Sequence, residues 1–128
     1  MTIAEVGKKY NLTPDTLRYY ERIGLISNVP RTKNGIRDYD NKTCKRIEFV
    51  KCMRDAGVEI EILIEYIMLF EQGKDTAVAR KQLLEEQRKK LLEKQKNINE
   101  TIGKLNYKIG LYDEIVEGKR KDFTEVEE

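Results

Sequence analysis

The sequence predicts a mostly α-helical chain with one small β-hairpin near its start and a long coiled-coil helix towards its end. Three observations carry this. Only two prolines, Pro14 and Pro30, interrupt 128 residues. An Asn34-Gly35 pair, the strongest short-range hairpin signal, stands among basic residues. From about residue 76 to residue 117, apolar residues recur every seven positions.

The first helix is short. Thr2 is its candidate cap, and Ile3 and Val6 are spaced for one face up to about Tyr10. The second begins at Thr13-Pro14, a hydroxyl cap followed by a proline where its missing N–H costs nothing. Asp15 adds a negative charge to the first turn, and Gly24 ends the helix. Two short helices joined by a tight turn form a helix-turn-helix candidate. Leu17 and Tyr20 point to one side of the second helix. Asp15, Arg18, Tyr19 and Arg22 share the opposite face at i, i+3, i+4 and i+7. Two arginines and a tyrosine in one stripe suit phosphates and base edges, although an ordinary solvated face has the same pattern.

The hairpin follows. Arg31 and Lys33 precede Asn34-Gly35, Arg37 follows it, and Tyr39 closes the second strand. A two-stranded hairpin is marginal alone, so this basic wing must lean on the helices. Asp40 or Asn41 caps a third helix, closed by Gly57, and a fourth is closed by Gly73. The fourth has two apolar stripes: Ile60, Ile64, Ile67 and Phe70, and nearly opposite them Ile62, Tyr66 and Leu69. One stripe suffices for a surface helix, so the second expects a further partner, most simply a dimer interface.

The last helix carries Leu84, Leu91, Ile98, Leu105 and Tyr112 at heptad spacing, with Ile102, Ile109 and Val116 at the matching positions. Such a helix is about 60 Å long and cannot bury this seam on the small domain before it. A second copy of the chain is the simplest partner. Lys81, Arg88 and Gln95 make the earlier seam positions polar, and an antiparallel pairing keeps like charges apart. The expected division is a winged helix-turn-helix domain with connecting helices over 1–73, a dimerisation helix over 74–118 and a frayed acidic tail over 119–128.

Composition narrows the function. Residues 1–57 hold 12 Lys+Arg against 7 Asp+Glu, and the remainder holds 13 against 16, so the front is basic and the back mildly acidic. A basic front half points to a polyanion. There is no histidine, which removes the commonest general base, the usual hydrolase triads and the usual zinc ligands. No apolar run approaches the roughly 20 residues of a membrane span, and no signal-peptide pattern opens the chain. The expectation is a cytoplasmic protein that is not an enzyme and holds no metal or cofactor. Cys44 and Cys52 lie eight residues apart on one helix, about 12 Å, too far for a disulfide. Free thiols in a reducing compartment fit better.

The order of elements, with the motifs LRYYERIGL (17–25) and GIRDYD (35–40), resembles the MerR family of transcription regulators over nearly the whole chain. The resemblance implies a homodimer joined by antiparallel coiled coils. It implies two winged domains on successive major grooves of a near-palindromic promoter. It also implies an activator that distorts DNA so that RNA polymerase meets aligned promoter elements. Metal sensors of the family carry cysteines around the coiled coil, and EQGKDTAVARKQLL (71–84) has none. Drug sensors carry a further binding domain, whereas this chain stops soon after the coiled coil. What remains resembles the small AdhR/NmlR-type regulators that respond to aldehydes and other electrophiles. In that group EFVKCMRDAG (48–57) holds the reactive cysteine, here Cys52. Cys44 matches no family motif.

The expected DNA-binding residues are Asp15, Thr16, Arg18, Tyr19, Arg22, Arg31, Lys33, Arg37 and Tyr39, with Arg18 nearest the bases and Arg37 and Tyr39 on phosphates and wing placement. Cys52 is the expected regulatory thiol, next to Lys51 and near Lys45 and Arg54, with Glu48 opposing them. An electrophile on it would overpack the space beside Phe49, Met53 and Ala56. The plainer reading is that Cys52 is a small packing residue. Two alternatives stay open: a coiled-coil interaction protein with a basic end, and a regulator with a non-covalent ligand between the fourth helix and the coiled coil.

Overall fold

A computed structural model describes residues 1–125. It forms two compact units, Met1–Gln87 and Arg88–Glu128.

In the first unit, α1 (Ile3–Tyr10) starts at a full capping box: the Thr2 hydroxyl accepts from Glu5 N–H and the Glu5 carboxylate accepts from Thr2 N–H. These bonds hold the Glu5 carboxyl below its ordinary pKa. Asn11 ends α1 in the left-handed conformation that asparagine tolerates. The turn then closes tightly: Leu12 N–H donates to Gly7 O at 2.9 Å. α2 (Pro14–Arg22) starts as expected, with Thr13 accepting from Thr16 N–H and Pro14 in the first turn. Asp40 caps α3 (Asn41–Asp55) by accepting from Thr43 N–H, and α4 (Ile60–Gln72) ends at Gly73.

Val6, Leu17, Leu25, Ile26, Ile47 and Val50 are fully buried and join α1, α2 and α3 into one core. The α4 face that completes it centres on Leu63 and Ile67. Leu63 belongs to neither expected stripe, and Phe70, expected on the inner stripe, is exposed.

The wing differs from its expectation. It contains one antiparallel bridge, Arg31 to Arg37, rather than a two-stranded ladder. Gly35 N–H donates to Thr32 O and Thr32 N–H donates to Ile36 O. That is a three-residue turn in which Gly35, at φ 80°, takes the left-handed position that closes it. Such a turn uses up most of the short segment, and the rest is drawn into the core by Tyr39.

A single 3-10 turn, Lys74–Thr76, leads into α5 (Ala77–Val116). In the second unit the segment expected to fray makes side-chain contacts. Arg120 pairs with Glu114 at 2.9 Å, and the Phe123 ring meets Tyr112 edge-on with centroids 5.2 Å apart. Residues 126–128, the end of the expected acidic tail, lie outside the described residues. Among the described residues, no helix is long and apolar enough to cross a membrane.

Candidate nucleic-acid interface

The two faces of α2 separate as the periodicity predicts. Leu17 and Tyr20 are buried, and Asp15, Arg18, Tyr19 and Arg22 are exposed. The exposed groups brace one another. Arg18 donates to Asp15 at 3.0 Å, and the Arg22 guanidinium lies 5.3 Å from the Tyr19 ring centroid. An exposed helical pair of this kind contributes only about 0.3–0.5 kcal/mol, so Arg18 can exchange Asp15 for a phosphate or a base edge. Thr16 is half-buried, and its hydroxyl accepts from Thr13 at 2.9 Å. It supports the start of α2 and is not a free contact.

On the wing, Lys33 at the tip is exposed and has no acidic partner among the described residues. The two bridge arginines are engaged. Arg37 donates from Nε to Glu21 Oε1 at 2.6 Å, and Arg31 Nη2 lies 3.6 Å from Glu21 Oε2. The bond to Glu21 raises the Arg37 pKa further above its ordinary value. Arg31 also donates to Gly35 O at 3.1 Å, across the turn.

Tyr39 corrects the sequence reading. It is 1% exposed and belongs to the core, so it offers no surface to a phosphate. Its hydroxyl has no hydrogen-bond partner among the described residues, and burial raises its pKa. The Met1 ammonium donates to the Tyr39 carbonyl at 2.9 Å and to Asp38 at 3.1 Å, tying the base of the wing to α1.

The two thiols also part. Cys44 is buried, with its sulfur 4.0 Å from the Tyr39 carbonyl oxygen. Cys52 is exposed, and so is Ala56. The expected overpacking beside Phe49, Met53 and Ala56 therefore has no closed space to act in: on this chain, a group added to Cys52 projects outward. Two of the neighbouring cations are held elsewhere, Lys51 by Asp55 at 3.1 Å and Arg54 by the Val58 carbonyl at 2.8 Å.

Along α5, Leu84, Ile98, Ile102, Leu105, Ile109, Tyr112 and Val116 are all exposed. Leu91 is half-buried.

The family profile described as MerR HTH family regulatory protein matches residues 1–67, the segment that holds α1, α2, the wing and most of α4. The chain belongs to the MerR family. It is 56% identical to the HTH-type transcriptional regulator AdhR of Bacillus subtilis over 93 residues, 73% of this chain and 66% of that protein. It is 33% identical over 72 residues to an uncharacterised HTH-type regulator of Synechocystis, 53% of whose length is matched. The matches thus span about half to two thirds of these curated relatives. Among solved structures, a MerR family regulator from Listeria monocytogenes superposes with a TM-score of 0.84 at 40% identity, covering 88% of this chain and 86% of that one. HiNmlR, a MerR family regulator lacking the sensor domain and solved bound to promoter DNA, gives 0.82 at 25% identity over 89% and 90%. These similarities place the chain with AdhR/NmlR-type regulators, a non-enzymatic group.

Sequence reasoning missed Gly7, Glu21 and Leu63. Gly7 gave no motif signal. Glu21 did: it is an acid inside LRYYERIGL, next to a basic hairpin.

Proposed function

We propose that this MerR-family chain binds a near-palindromic promoter as a cytoplasmic homodimer, with α2 in the major groove, and activates transcription by distorting the DNA. The observation that carries this reading is the exposed Arg18, Tyr19 and Arg22 face of α2, on the same domain as the Lys33 turn. The likeness to HiNmlR, which was solved on promoter DNA, supports it. Arg18, Tyr19 and Arg22 read or approach the bases, Lys33 meets a phosphate, and the exposed seam of α5 pairs antiparallel with a second copy.

The inducer is an aldehyde or a related electrophile acting on Cys52. Exposure makes that thiol reachable. With an aldehyde, the sulfur bonds to the carbonyl carbon, the carbonyl π bond opens and the oxygen takes up the thiol proton, leaving a hemithioacetal with no redox change. Because Cys52 is open on one chain, the bulk added there acts on whatever the dimer or the DNA complex places against α3.

Transcription from the protein's own upstream promoter, with and without an aldehyde, tests the reading. Wild type and Cys44→Ser should respond, and Cys52→Ser should bind the promoter without responding. Binding to promoter and unrelated duplexes alike would refute the DNA assignment. A full aldehyde response from Cys52→Ser would refute the thiol assignment alone. In that case a second reading applies, favoured by a cleft of about 240 Å³ between α3 and α4. Phe49, Tyr66 and Phe70 line it, with Lys42, Lys45 and Arg46 also on its walls, a setting for a non-covalent ligand with an apolar body and a negative charge.

A further inference from the structure

We propose that Glu21 is a positioning residue for DNA recognition: it holds the wing against the recognition helix by binding both bridge arginines, so that specificity depends on an acidic group at a basic interface. The proposal rests on the DNA-binding reading above and concerns how that surface is kept in register.

Hydrogen bonds flank the bridge on both sides, from Thr32 N–H to Ile36 O and from Asp38 N–H to Pro30 O, both 2.7 Å. Arg31 and Arg37 are therefore the non-hydrogen-bonded pair of the bridge, the type in which opposed side chains come closest, with Cα atoms about 4.5 Å apart. Like charges in that relation destabilise a hairpin. A single bridge has no further ladder to offset this repulsion. Glu21 supplies the missing charge from α2. One carboxylate oxygen takes Arg37 and the other faces Arg31, and the Glu21 side chain is only 19% exposed against 27% for Arg37 and 45% for Arg31. Glu21 also stands one residue before Arg22 and two after Tyr19, so the acid that holds the wing is on the helix that carries the reading face. Arg37, shortest in its bond and more covered than Arg31, acts as a strut. Lys33, without an acidic partner among the described residues, is the phosphate group of the wing.

The charge of Glu21 separates two outcomes. If it were only an acid near DNA, neutralising it would tighten binding to every duplex, because a polyanion would lose a repulsion. If it positions the wing, neutralising it must weaken promoter binding, while on an unrelated duplex the loosened Lys33 contact is offset by the lost repulsion. Affinities of wild type and Glu21→Gln are measured by fluorescence anisotropy for the upstream promoter duplex and for an unrelated duplex of the same length, across a salt series. The expected result is promoter binding about tenfold weaker, within the range for close coupled pairs, with unrelated binding unchanged or tighter. Equal or tighter binding of Glu21→Gln to both duplexes overturns the proposal while leaving the DNA reading in place. Wild type that fails to distinguish the duplexes overturns both. Arg37→Gln keeps the test decisive if Glu21→Gln does not fold. A strut predicts the same loss of discrimination, and no larger loss when the two substitutions are combined. Equal weakening on both duplexes, with a slope smaller by about 0.9 per protomer, makes Arg37 a phosphate ligand and overturns the proposal.

Discussion

Tyr39 shows how one residue's role turns on burial. Its place in a basic hairpin motif suggests a DNA contact, yet its ring lies in the core and its hydroxyl finds no partner among the described residues. An unpaired buried hydroxyl is costly, so its removal costs little or stabilises the fold. Tyr39→Phe is expected to keep or raise the thermal midpoint, with a change within about 1 kcal/mol, and to leave promoter affinity unchanged. A drop of several degrees, or a loss of DNA binding, would mean that the hydroxyl has a partner in the working protein. The cysteines make the same point. Cys44 and Cys52 lie on one helix, and only the exposed one is open to a reagent.

At the scale of elements, the approach of α1 to α2 depends on an atom that is absent. A Cβ on Gly7 would lie 2.6 Å from the Leu12 carbonyl oxygen, well inside contact, and that carbonyl is backbone that cannot swing away. The turn can be this tight because α1 carries no side chain there. Gly7→Ala should therefore destabilise the domain by about 1–3 kcal/mol, as overpacking does, seen as an earlier midpoint in urea with an unchanged slope. Wild-type stability in this variant would show that the two helices can separate without loss. The wing depends on the opposite kind of device, a charge supplied from another element.

At the scale of the molecule, the exposed seam of α5 is the main unsatisfied feature. Ile98, Ile102, Leu105 and Ile109 follow one another at heptad positions, and each leaves about half or more of its surface in water. Burying one such side chain is worth roughly 1.5–3 kcal/mol, so a paired coil gains from every one of them. Leu105→Asp places a charge in that seam and should yield monomers in sedimentation at micromolar concentration, with weaker promoter binding because two half-sites are no longer joined. A variant that remains dimeric would move the dimer interface elsewhere, and the Ile62, Tyr66 and Leu69 side of α4 is the next place to look.

Local physics determined much of this protein in advance. Thr2, Thr13-Pro14 and Asp40 start their helices through their own hydroxyl or carboxylate groups, and Gly73 stops α4, because caps act within one turn of the chain. The periodicity of α2 separated Leu17 and Tyr20 from Arg18, Tyr19 and Arg22 for the same reason. The heptads of α5 stand out because a helix repeats its faces without outside help. The rest needed the tertiary structure, because it rests on atoms far apart in sequence. Glu21 meets Arg37 across sixteen residues, Gly7 meets a carbonyl of the next turn, and Phe70 stays exposed although it shares a helical face with the buried Leu63 and Ile67. The burial of Tyr39 and the open surroundings of Cys52 escaped the sequence for one shared reason: a sequence motif names a residue's neighbours along the chain, while burial is decided by the elements that fold over it.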